Sequence, residues 1–327
     1  MSKRKHIIFG GKGFIGQNLA RELVNFGEKT LIIDKDHWRQ NFVYSELFDE
    51  QKVVFIEANI NYDFEKISDA ISSFVGPLDN TIVWHLAANS DIAAGNEDLQ
   101  VDFLDTFMTT INVLKYCRQL PRKNVYFASS SAVYGDVSSG EDGFKEIDAT
   151  QPISNYGAMK LASEAILRAA NQQFLERCII FRFPNVIGFP ATHGVIRDFI
   201  NKLKNTPEQL IVLGDGKQNK PYLHVSDLVH AMLHLDRHYV GAKIMETINI
   251  GSPYENVFVS QIAEEVRNRV SPNAKINYGD TPFGWVGDMP TVRFNIDKII
   301  NTEWECKLSG VEAVRRTIDE ILLGDVA

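Results

Sequence analysis

The sequence has few cysteines, no long apolar run and no excess of positive charge, and each absence excludes a class of protein. Its 327 residues include only three cysteines, Cys117, Cys178 and Cys306. An odd number of widely spaced cysteines is atypical of a disulfide framework or a zinc site. No apolar stretch approaches the roughly 20 residues that cross a bilayer. The basic N-terminus precedes only a short apolar run, too short for a signal-peptide core. We therefore expect a cytoplasmic protein with no membrane span and no metal.

The charge of the chain also limits its partners. There are 42 acidic and 34 basic residues, giving a formal net charge of −8. General nucleic-acid binding requires a basic face that neutralises phosphates, so we expect no nucleic-acid partner. Hydrophobic residues make up 44% of the chain and charged residues 23%, close to ordinary globular usage. A chain of this length and composition predicts one large domain or two ordinary domains.

Short apolar runs alternate with amphipathic segments through the first half of the chain. Strands are predicted at 6–9, 29–33, 52–56, 81–86, 124–128 and 178–183. Helices are predicted at 14–26 and 64–74. Apolar strands that alternate with helices are typical of a parallel sheet buried on both faces. The sequence therefore predicts an α/β fold with a Rossmann-type, doubly wound parallel sheet.

The pattern changes after Pro184, where an amphipathic helix, a glycine-rich turn and later glycine and proline clusters follow. We interpret this part as a smaller α/β substrate-binding lobe that is interleaved with the sheet. The predicted NAD-binding domain covers 1–184 and is joined by roughly 224–250. The predicted lobe covers 185–223 and 251–327.

A glycine-rich turn directly follows the first predicted strand. Gly10, Gly13 and Gly16 have the spacing G-x-x-G-x-x-G at the start of the first helix. Glycines there permit a tight turn and let a pyrophosphate approach the helix N-terminus, whose free N–H groups stabilise anions. Asp34 ends the second strand, where an acid accepts hydrogen bonds from the adenosine ribose. Together these residues predict a dinucleotide site.

The sequence favours NAD over NADP. A carboxylate at Asp34 repels the 2′-phosphate of NADP, which is the reason for this choice. NADP remains the alternative because basic residues lie nearby. These are Lys12 within the glycine turn and Lys35, His37 and Arg39 after Asp34.

A second group of polar residues follows the strand at 124–128. Three serines, Ser129, Ser130 and Ser131, end this strand, and Tyr156 and Lys160 lie four residues apart on a later helix. Residues at this spacing share one helical face. A lysine ammonium near a phenol lowers the pKa of the phenol and makes it a usable general base. We predict Tyr156 as acid/base, Lys160 as its electrostatic partner and Ser130 as hydroxyl donor, although periodicity alone does not distinguish the three serines.

These motifs occur in the same order in a known family. The chain resembles an extended short-chain dehydrogenase/reductase of the nucleotide-sugar epimerase and dehydratase group, and the likeness extends over essentially its whole length. The matching segments are 10–16 (GGKGFIG), 85–88 (HLAA), 133–135 (VYG), Tyr156 with Lys160, 182–186 (RFPNV), 214–218 (GDGKQ) and 224–227 (HVSD).

The resemblance implies a role for each matching position. Counting back from Val133, as the family aligns, selects Ser130 as the catalytic hydroxyl. The expected substrate-binding residues are Ser130, Asn185, Lys220 and Tyr222, with Lys220 standing where many members have an arginine that binds phosphate. The expected NAD-binding residues are Gly10, Gly13, Phe14, Ile15, Gly16, Asp34, Asn59, Ile60, Leu86, Ala87, Ala88, Tyr156 and Lys160. Asn59 stands in place of the family's usual aspartate.

The resemblance also implies the reaction and the assembly. The leading hypothesis is an NAD-dependent nucleotide-sugar 4-epimerase, most simply UDP-linked, that acts through a transient 4-keto sugar. A 4-dehydrogenase or 4-keto reductase remains an alternative, whereas a 4,6-dehydratase is disfavoured because Ser131 and Ala132 replace its acidic pair. A non-catalytic NAD-binding protein is disfavoured because Tyr156 and Lys160 are both present. A homodimer is expected through the segments 105–120 and 156–174.

Overall fold

A computed structural model describes residues 4–36, 52–135, 142–191, 193–241, 243–282 and 293–325. The chain forms two compact units. The first comprises Met1–Gly135, Thr150–Arg182 and Asp236–Ile248. The second comprises Asp136–Ala149, Phe183–Leu235 and Asn249–Ala327.

Strands and helices alternate along the described residues. The strands are β1 (Lys5–Phe9), β2 (Lys29–Asp34), β3 (Val53–Glu57), β4 (Thr81–His85), β5 (Asn124–Ala128), β6 (Arg177–Arg182), β7 (Asn185–Ile187), β8 (Gln209–Val212), β9 (Asn219–Lys220), β10 (Tyr222–His224), β11 (Ile244–Asn249), β12 (Val257–Phe258) and β13 (Lys275–Tyr278). The α-helices are α1 (Phe14–Asn25), α2 (Phe64–Phe74), α3 (Ile92–Glu97), α4 (Leu99–Asp102), α5 (Thr109–Cys117), α6 (Asn155–Gln173), α7 (Val195–Asn205), α8 (Val225–His238), α9 (Val259–Val270), α10 (Asp297–Ile300) and α11 (Gly310–Gly324). A π-helical turn (Phe103–Met108) and a 3₁₀ turn (Ser131–Val133) complete the set.

The first unit is built on a seven-stranded sheet with the order β11-β6-β5-β4-β1-β2-β3. The strands from β1 to β6 pair in parallel. The chain leaves β1 towards β2 and β3 on one side, then crosses to β4 on the other side. The carboxyl ends of β1 and β4 meet at this crossing, with Phe9 in register with His85. Ligands bind at such a switch point in open α/β sheets. The predicted parallel, Rossmann-type sheet is confirmed.

Burial on both faces of the sheet explains why its strands are apolar throughout rather than alternating. Ile7, Ile8 and Phe9 of β1 are all fully buried, although successive side chains point to opposite faces. Ile7 and Phe9 belong to a core cluster on one face. The helices α2, α5 and α6 contribute Ile67, Ile71, Val113, Tyr116 and Leu167 to the same cluster.

The second unit has its own hydrophobic core. Its strands form the pairs β7 with β10, β8 with β13, and β9 with β12. The helix α11 begins with a capping box, in which the Ser309 hydroxyl accepts from the Glu312 N–H at 3.3 Å and the Glu312 carboxylate accepts from the Ser309 N–H at 2.8 Å. Helices α7, α9 and α11 bury Phe199, Ile200, Ile262, Val266 and Ile318 together.

The two units differ from the predicted domains by two residues each at 183–184 and at 249–250, and by longer stretches in two other segments. The first of these segments is 136–149, which belongs to the second unit. In its described part, 142–149, the Phe144 carbonyl accepts from the Asn249 amide at 2.8 Å, and this amide also donates to the Asn295 carbonyl at 3.1 Å. The other segment of the second unit is 224–235, where the Asp227 carboxylate accepts from the N–H groups of Lys307 and Leu308. Side-chain to backbone bonds of this kind leave little trace in sequence periodicity.

Two further observations concern the described residues as a whole. None of their helices combines the length and hydropathy that a membrane span requires. They contain no cluster of His, Cys, Asp and Glu side chains arranged to hold a metal ion. The cysteines Cys117, Cys178 and Cys306 are all buried and unpaired as disulfides.

Candidate active site

The glycine turn forms a close-fitting cradle at the switch point of the sheet. Gly10 has φ +78°, and a Cβ atom there would lie 2.6 Å from the Ala87 nitrogen. A Cβ atom on Gly16 would lie 2.5 Å from the Gly10 carbonyl oxygen. Only glycine fits both positions, since such contacts are far inside van der Waals distance. Phe14 and Ile15 are the first residues of α1, so the N–H groups of this helix face the turn, as a pyrophosphate site requires.

Asp34 lies where the sequence predicts, at the carboxyl end of β2. Its carboxylate accepts hydrogen bonds from the Lys12 N–H at 2.9 Å and the Asp36 N–H at 3.3 Å. Burial raises the pKa of Asp34, and these two hydrogen bonds oppose that rise. The turn and the acid are therefore fixed to each other by the backbone of the glycine loop.

Two of the basic residues that left NADP as an alternative are described by the structure, and each of them contacts an acidic side chain. The Lys35 ammonium pairs with Asp105 at 2.9 Å, and the Lys12 ammonium lies 3.9 Å from the Asp36 carboxylate. His37 and Arg39 lie outside the described residues. Both contacts reduce the positive charge available for a 2′-phosphate, and this arrangement fits NAD.

The other predicted cofactor residues follow β3 and β4. Asn59 closes a turn, since its side-chain oxygen accepts from the Asn61 N–H at 2.9 Å. Ile60 is buried, and its carbonyl accepts from the Tyr116 hydroxyl at 3.1 Å. The remaining predicted residues are Leu86, Ala87 and Ala88, which directly follow β4. All of these loops leave the carboxyl edge of the same sheet.

Ser130 is the serine that contacts Tyr156. Its hydroxyl accepts from the Ala132 N–H at 3.1 Å and is hydrogen-bonded to the Tyr156 side chain. Ser129 is buried and donates to Glu164 at 2.6 Å. Ser130 therefore remains the predicted hydroxyl donor among the serines that follow β5.

The first turns of α6 present Tyr156 and Lys160 to the same region. The Ser154 hydroxyl caps this helix by accepting from the Gly157 N–H at 3.1 Å. Tyr156 therefore lies in the first turn, and Lys160 one turn later. The Lys160 Nζ donates to the Ala128 carbonyl at 2.6 Å and lies 5.6 Å from the centre of the Tyr156 ring. The predicted serine, tyrosine and lysine thus meet at the carboxyl end of β5.

In the protein by itself the pKa of Tyr156 is raised, whereas the sequence predicts that Lys160 lowers it. Burial raises the pKa of Tyr156 to about 12, the hydrogen bond from Ser130 acts in the lowering direction, and the charge of Asp102 raises the pKa further. Burial also lowers the pKa of Lys160 to about 7, against the charges of Glu164 and Asp102. The four-residue spacing predicts that the two side chains are neighbours. It does not indicate how strongly each is buried, and burial shifts both pKa values.

A buried ion pair behind the site was missed from the sequence. Arg182, at the end of β6, donates to both Glu164 carboxylate oxygens, at 2.9 and 2.6 Å. All of these groups are almost completely buried. The four-residue spacing of Tyr156, Lys160 and Glu164 was the available signal, since it places all three on one face of α6.

His85, at the end of β4, is fully buried beside the site. Its Nε2 atom is 2.9 Å from the Thr110 hydroxyl. Burial, aided by the charge of Lys160, lowers the pKa of His85 to about 3. The ring is therefore neutral near pH 7 and is not a charged acid for the reaction.

The predicted substrate residues lie in the second unit. Asn185 of β7 is in register with Tyr222 of β10, and Lys220 of β9 pairs with Val257 of β12. Tyr222 is only 5% exposed and packs in the core of this unit. Asn185 is exposed and Lys220 is half-buried, so these two side chains are the more accessible of the three.

Comparison with known proteins identifies the family. The sequence profile of the "NAD dependent epimerase/dehydratase family" matches residues 6–251. The chain belongs to this family. NAD is accordingly its cofactor, and the glycine cradle with Asp34 fits that molecule.

Individual relatives of the chain carry out different reactions. It is 29% identical over 282 residues to a UDP-N-acetyl-alpha-D-glucosaminuronate decarboxylase of Bacillus cytotoxicus, covering 84% of this chain and 83% of the relative. It is 26% identical over 323 residues to a putative UDP-glucose 4-epimerase of Methanocaldococcus jannaschii, covering 96% and 97%. Among solved structures, a UDP-galactose 4-epimerase superposes with a TM-score of 0.82 at 30% identity, covering 99% of this chain and 100% of that one.

Proposed function

We propose that this protein is a nucleotide-sugar 4-epimerase that acts on a UDP-linked sugar. The observation that carries the proposal is the meeting of Ser130, Tyr156 and Lys160 at the carboxyl end of β5, in the unit that also holds the glycine cradle. The names of the relatives support the substrate class, since both sequence relatives and the superposed structure act on UDP-sugars.

Each of the three side chains has a task that its surroundings permit. The glycine cradle and Asp34 would hold NAD⁺, which would supply reversible hydride chemistry at the sugar carbon C4. Tyr156 takes the proton of the C4 hydroxyl and gives it back, and the Ser130 hydroxyl holds the same oxygen in place. The ammonium of Lys160 favours the ionised tyrosine electrostatically. Inversion would require the 4-keto sugar to turn over in the site, so that Tyr156 gives the proton back to the C4 oxygen with the opposite face of C4 reduced.

The residues after Ser130 favour epimerisation over dehydration. A 4,6-dehydratase must remove the C5 proton and protonate the leaving C6 hydroxyl, which requires acid and base groups beside the sugar. Here Ser131 and Ala132 form the 3₁₀ turn at that place, and neither is an acid. Epimerisation needs only one group that moves a proton at the C4 oxygen, and Tyr156 is sufficient for it.

We extend the proposal to substrate binding and assembly. Asn185 and Lys220 bind the diphosphate, with Lys220 acting as a point charge rather than a bidentate fork. The protein forms a homodimer through α5, α6 and the π-helical turn that precedes α5. Leu99 of α4 and Phe103 of this turn are 50% and 41% exposed. Sedimentation equilibrium at micromolar concentration should give twice the chain mass, and a monomer would contradict the assembly.

The reaction is tested by supplying UDP-hexoses and UDP-hexuronic acids to the NAD-bound protein in D₂O and identifying the products by NMR. An epimerase gives the C4 epimer with no deuterium on carbon. Deuterium at C5 with loss of the C6 oxygen would indicate a dehydratase, and a shortened sugar with released CO₂ a decarboxylase. Accumulation of NADH with a free keto-sugar would indicate a dehydrogenase. Each of these three results would overturn the proposal.

A further inference from the structure

A buried carboxylate that family resemblance did not single out lies beside the catalytic side chains. Asp102 is the last residue of α4, directly before the π-helical turn, and its side chain is fully buried. Its Oδ1 atom accepts from the Asn89 amide at 2.9 Å, whereas Oδ2 has no hydrogen-bond partner among the described residues. Burying a carboxylate oxygen without a partner is costly. Such a group indicates a role other than stability.

The packing around Asp102 places it against the start of α6. A Cβ atom on Gly95 would overlap the Oδ2 atom of Asp102, so only glycine leaves room for the carboxylate. The Gly95 carbonyl in turn accepts from the Asn155 amide at 2.9 Å, and Asn155 directly precedes Tyr156. The carboxylate thus lies against the glycine that is bonded to the first residue of the catalytic helix.

The charge of Asp102 acts on both catalytic groups of this helix. It raises the pKa of Tyr156, because a carboxylate disfavours a second negative charge nearby. It also raises the pKa of Lys160, against the larger effect of burial. Lys160 acts in return to lower the pKa of Asp102, which burial raises.

Two other acids in or near α6 have charged partners, although Glu164 still raises the pKa of Lys160 more than Asp102 does. The Glu164 carboxylate is paired with Arg182 at 2.6 Å, and Asp105 of the π-helical turn is paired with Lys35 at 2.9 Å. His85 is neutral near pH 7 because burial lowers its pKa to about 3. Ser130 contributes a hydroxyl and no charge.

We propose that Asp102 is a positioning residue of the active site, whose carboxylate sets the pH range in which Tyr156 and Lys160 work. Together with Glu164 it favours the ammonium form of Lys160, and it favours the phenol form of Tyr156 until substrate is bound. The proposal rests on the acid/base role proposed above for Tyr156.

The variant Asp102→Asn tests this idea because it removes the charge while keeping the size of the side chain and an oxygen for the Asn89 amide. The NAD-bound protein is labelled with ¹³C at the tyrosine ring carbon that carries the hydroxyl, and the Tyr156 signal is identified by its loss in Tyr156→Phe. We expect the Tyr156 pKa to fall by about one unit, within the range that like charges produce. The pH profile of kcat/KM should shift in the same direction.

The matched control is Asp105→Asn, which removes an acid three residues away that is partly exposed and already paired. We expect no shift of the Tyr156 signal in this variant. Asp102→Ala, which removes both oxygens, should shift the signal in the same direction as Asp102→Asn. It separates loss of charge from any unwanted contact of the new amide.

Two results would overturn the proposal. One is a Tyr156 titration that is unchanged in both Asp102 variants. The other is a changed affinity for NAD or substrate with an unchanged titration, which would make Asp102 a ligand contact. Failure of the proposed function is seen separately, as activity retained by Tyr156→Phe. The NMR shift in Asp102→Asn does not depend on that activity.

Discussion

Two buried acids, Glu164 and Asp102, both raise the pKa of Lys160, but their surroundings differ. In the Glu164 region (Ser129, Glu164 and Arg182), the carboxylate receives three short hydrogen bonds, two of them from the guanidinium. In the Asp102 region (Asn89, Gly95 and Asp102), the carboxylate receives one hydrogen bond, and its second oxygen has no partner among the described residues. A fully satisfied ion pair fixes the position of helices and strands. Of the two catalytic groups Lys160 and Tyr156, the charge of Glu164 raises the pKa of Lys160 alone, whereas the charge of Asp102 raises the pKa of both.

Both regions act on Lys160, and the Asp102 region also acts on Tyr156, so the largest effect is expected at these two catalytic groups. Tyr156→Phe keeps the ring but removes the hydroxyl that exchanges the proton. Turnover should fall by about 10²–10⁴-fold, the usual contribution of general acid/base catalysis. NAD should still be released on denaturing the purified variant. Turnover close to wild type would contradict the role of Tyr156.

Breaking the Glu164 region should cost stability. Arg182→Met leaves the Glu164 carboxylate buried with only the Ser129 hydroxyl as a donor among the bonds described. Removing one partner of a buried pair typically costs about 3–5 kcal/mol, so the free energy of unfolding in urea should fall by that amount. Asp102→Asn is the matched variant in the other region and should change stability much less. Equal losses in the two variants would remove the distinction between the regions.

The pH dependence of stability tests whether burial lowers the pKa of Lys160. Burial lowers its pKa in the folded protein to about 7, below the ordinary value of 10.5. Between these values the unfolded chain binds more protons at this position, so Lys160 makes stability rise as the pH increases from about 7 to about 10. In Lys160→Met this rise should be smaller, as measured by urea unfolding at several pH values. An identical rise in the variant would show that Lys160 is not desolvated.

The sequence predicted the elements that depend on short, regular spacing. The glycine turn, Asp34 and the four-residue step from Tyr156 to Lys160 all lie where expected, because strand-end and helical periodicity determine them. It did not predict the pKa of Tyr156, which depends on burial by residues far away in the chain. Asp102 was not noticed, since its importance comes from Gly95 and Asn89, whose spacing to it follows no motif.

The predicted substrate residues show the same limit. Asn185 and Tyr222, which are both predicted to bind substrate, are in register on neighbouring strands. Burial of Tyr222 in the core of the second unit was not evident from the motif Lys220-Pro221-Tyr222. The sequence does not distinguish an aromatic residue that binds substrate from one that packs in a core. Only the packing of the folded chain distinguishes them.

The most direct test of the proposed reaction follows the hydride itself. The NAD-bound protein is given a UDP-sugar that carries deuterium at C4, and the product is examined by NMR. The account predicts that the deuterium remains at C4 with inverted configuration and that no NADH accumulates. Deuterium found at C6, deuterium at C4 with unchanged configuration and loss of CO₂, or deuterium found in released NADH would contradict it.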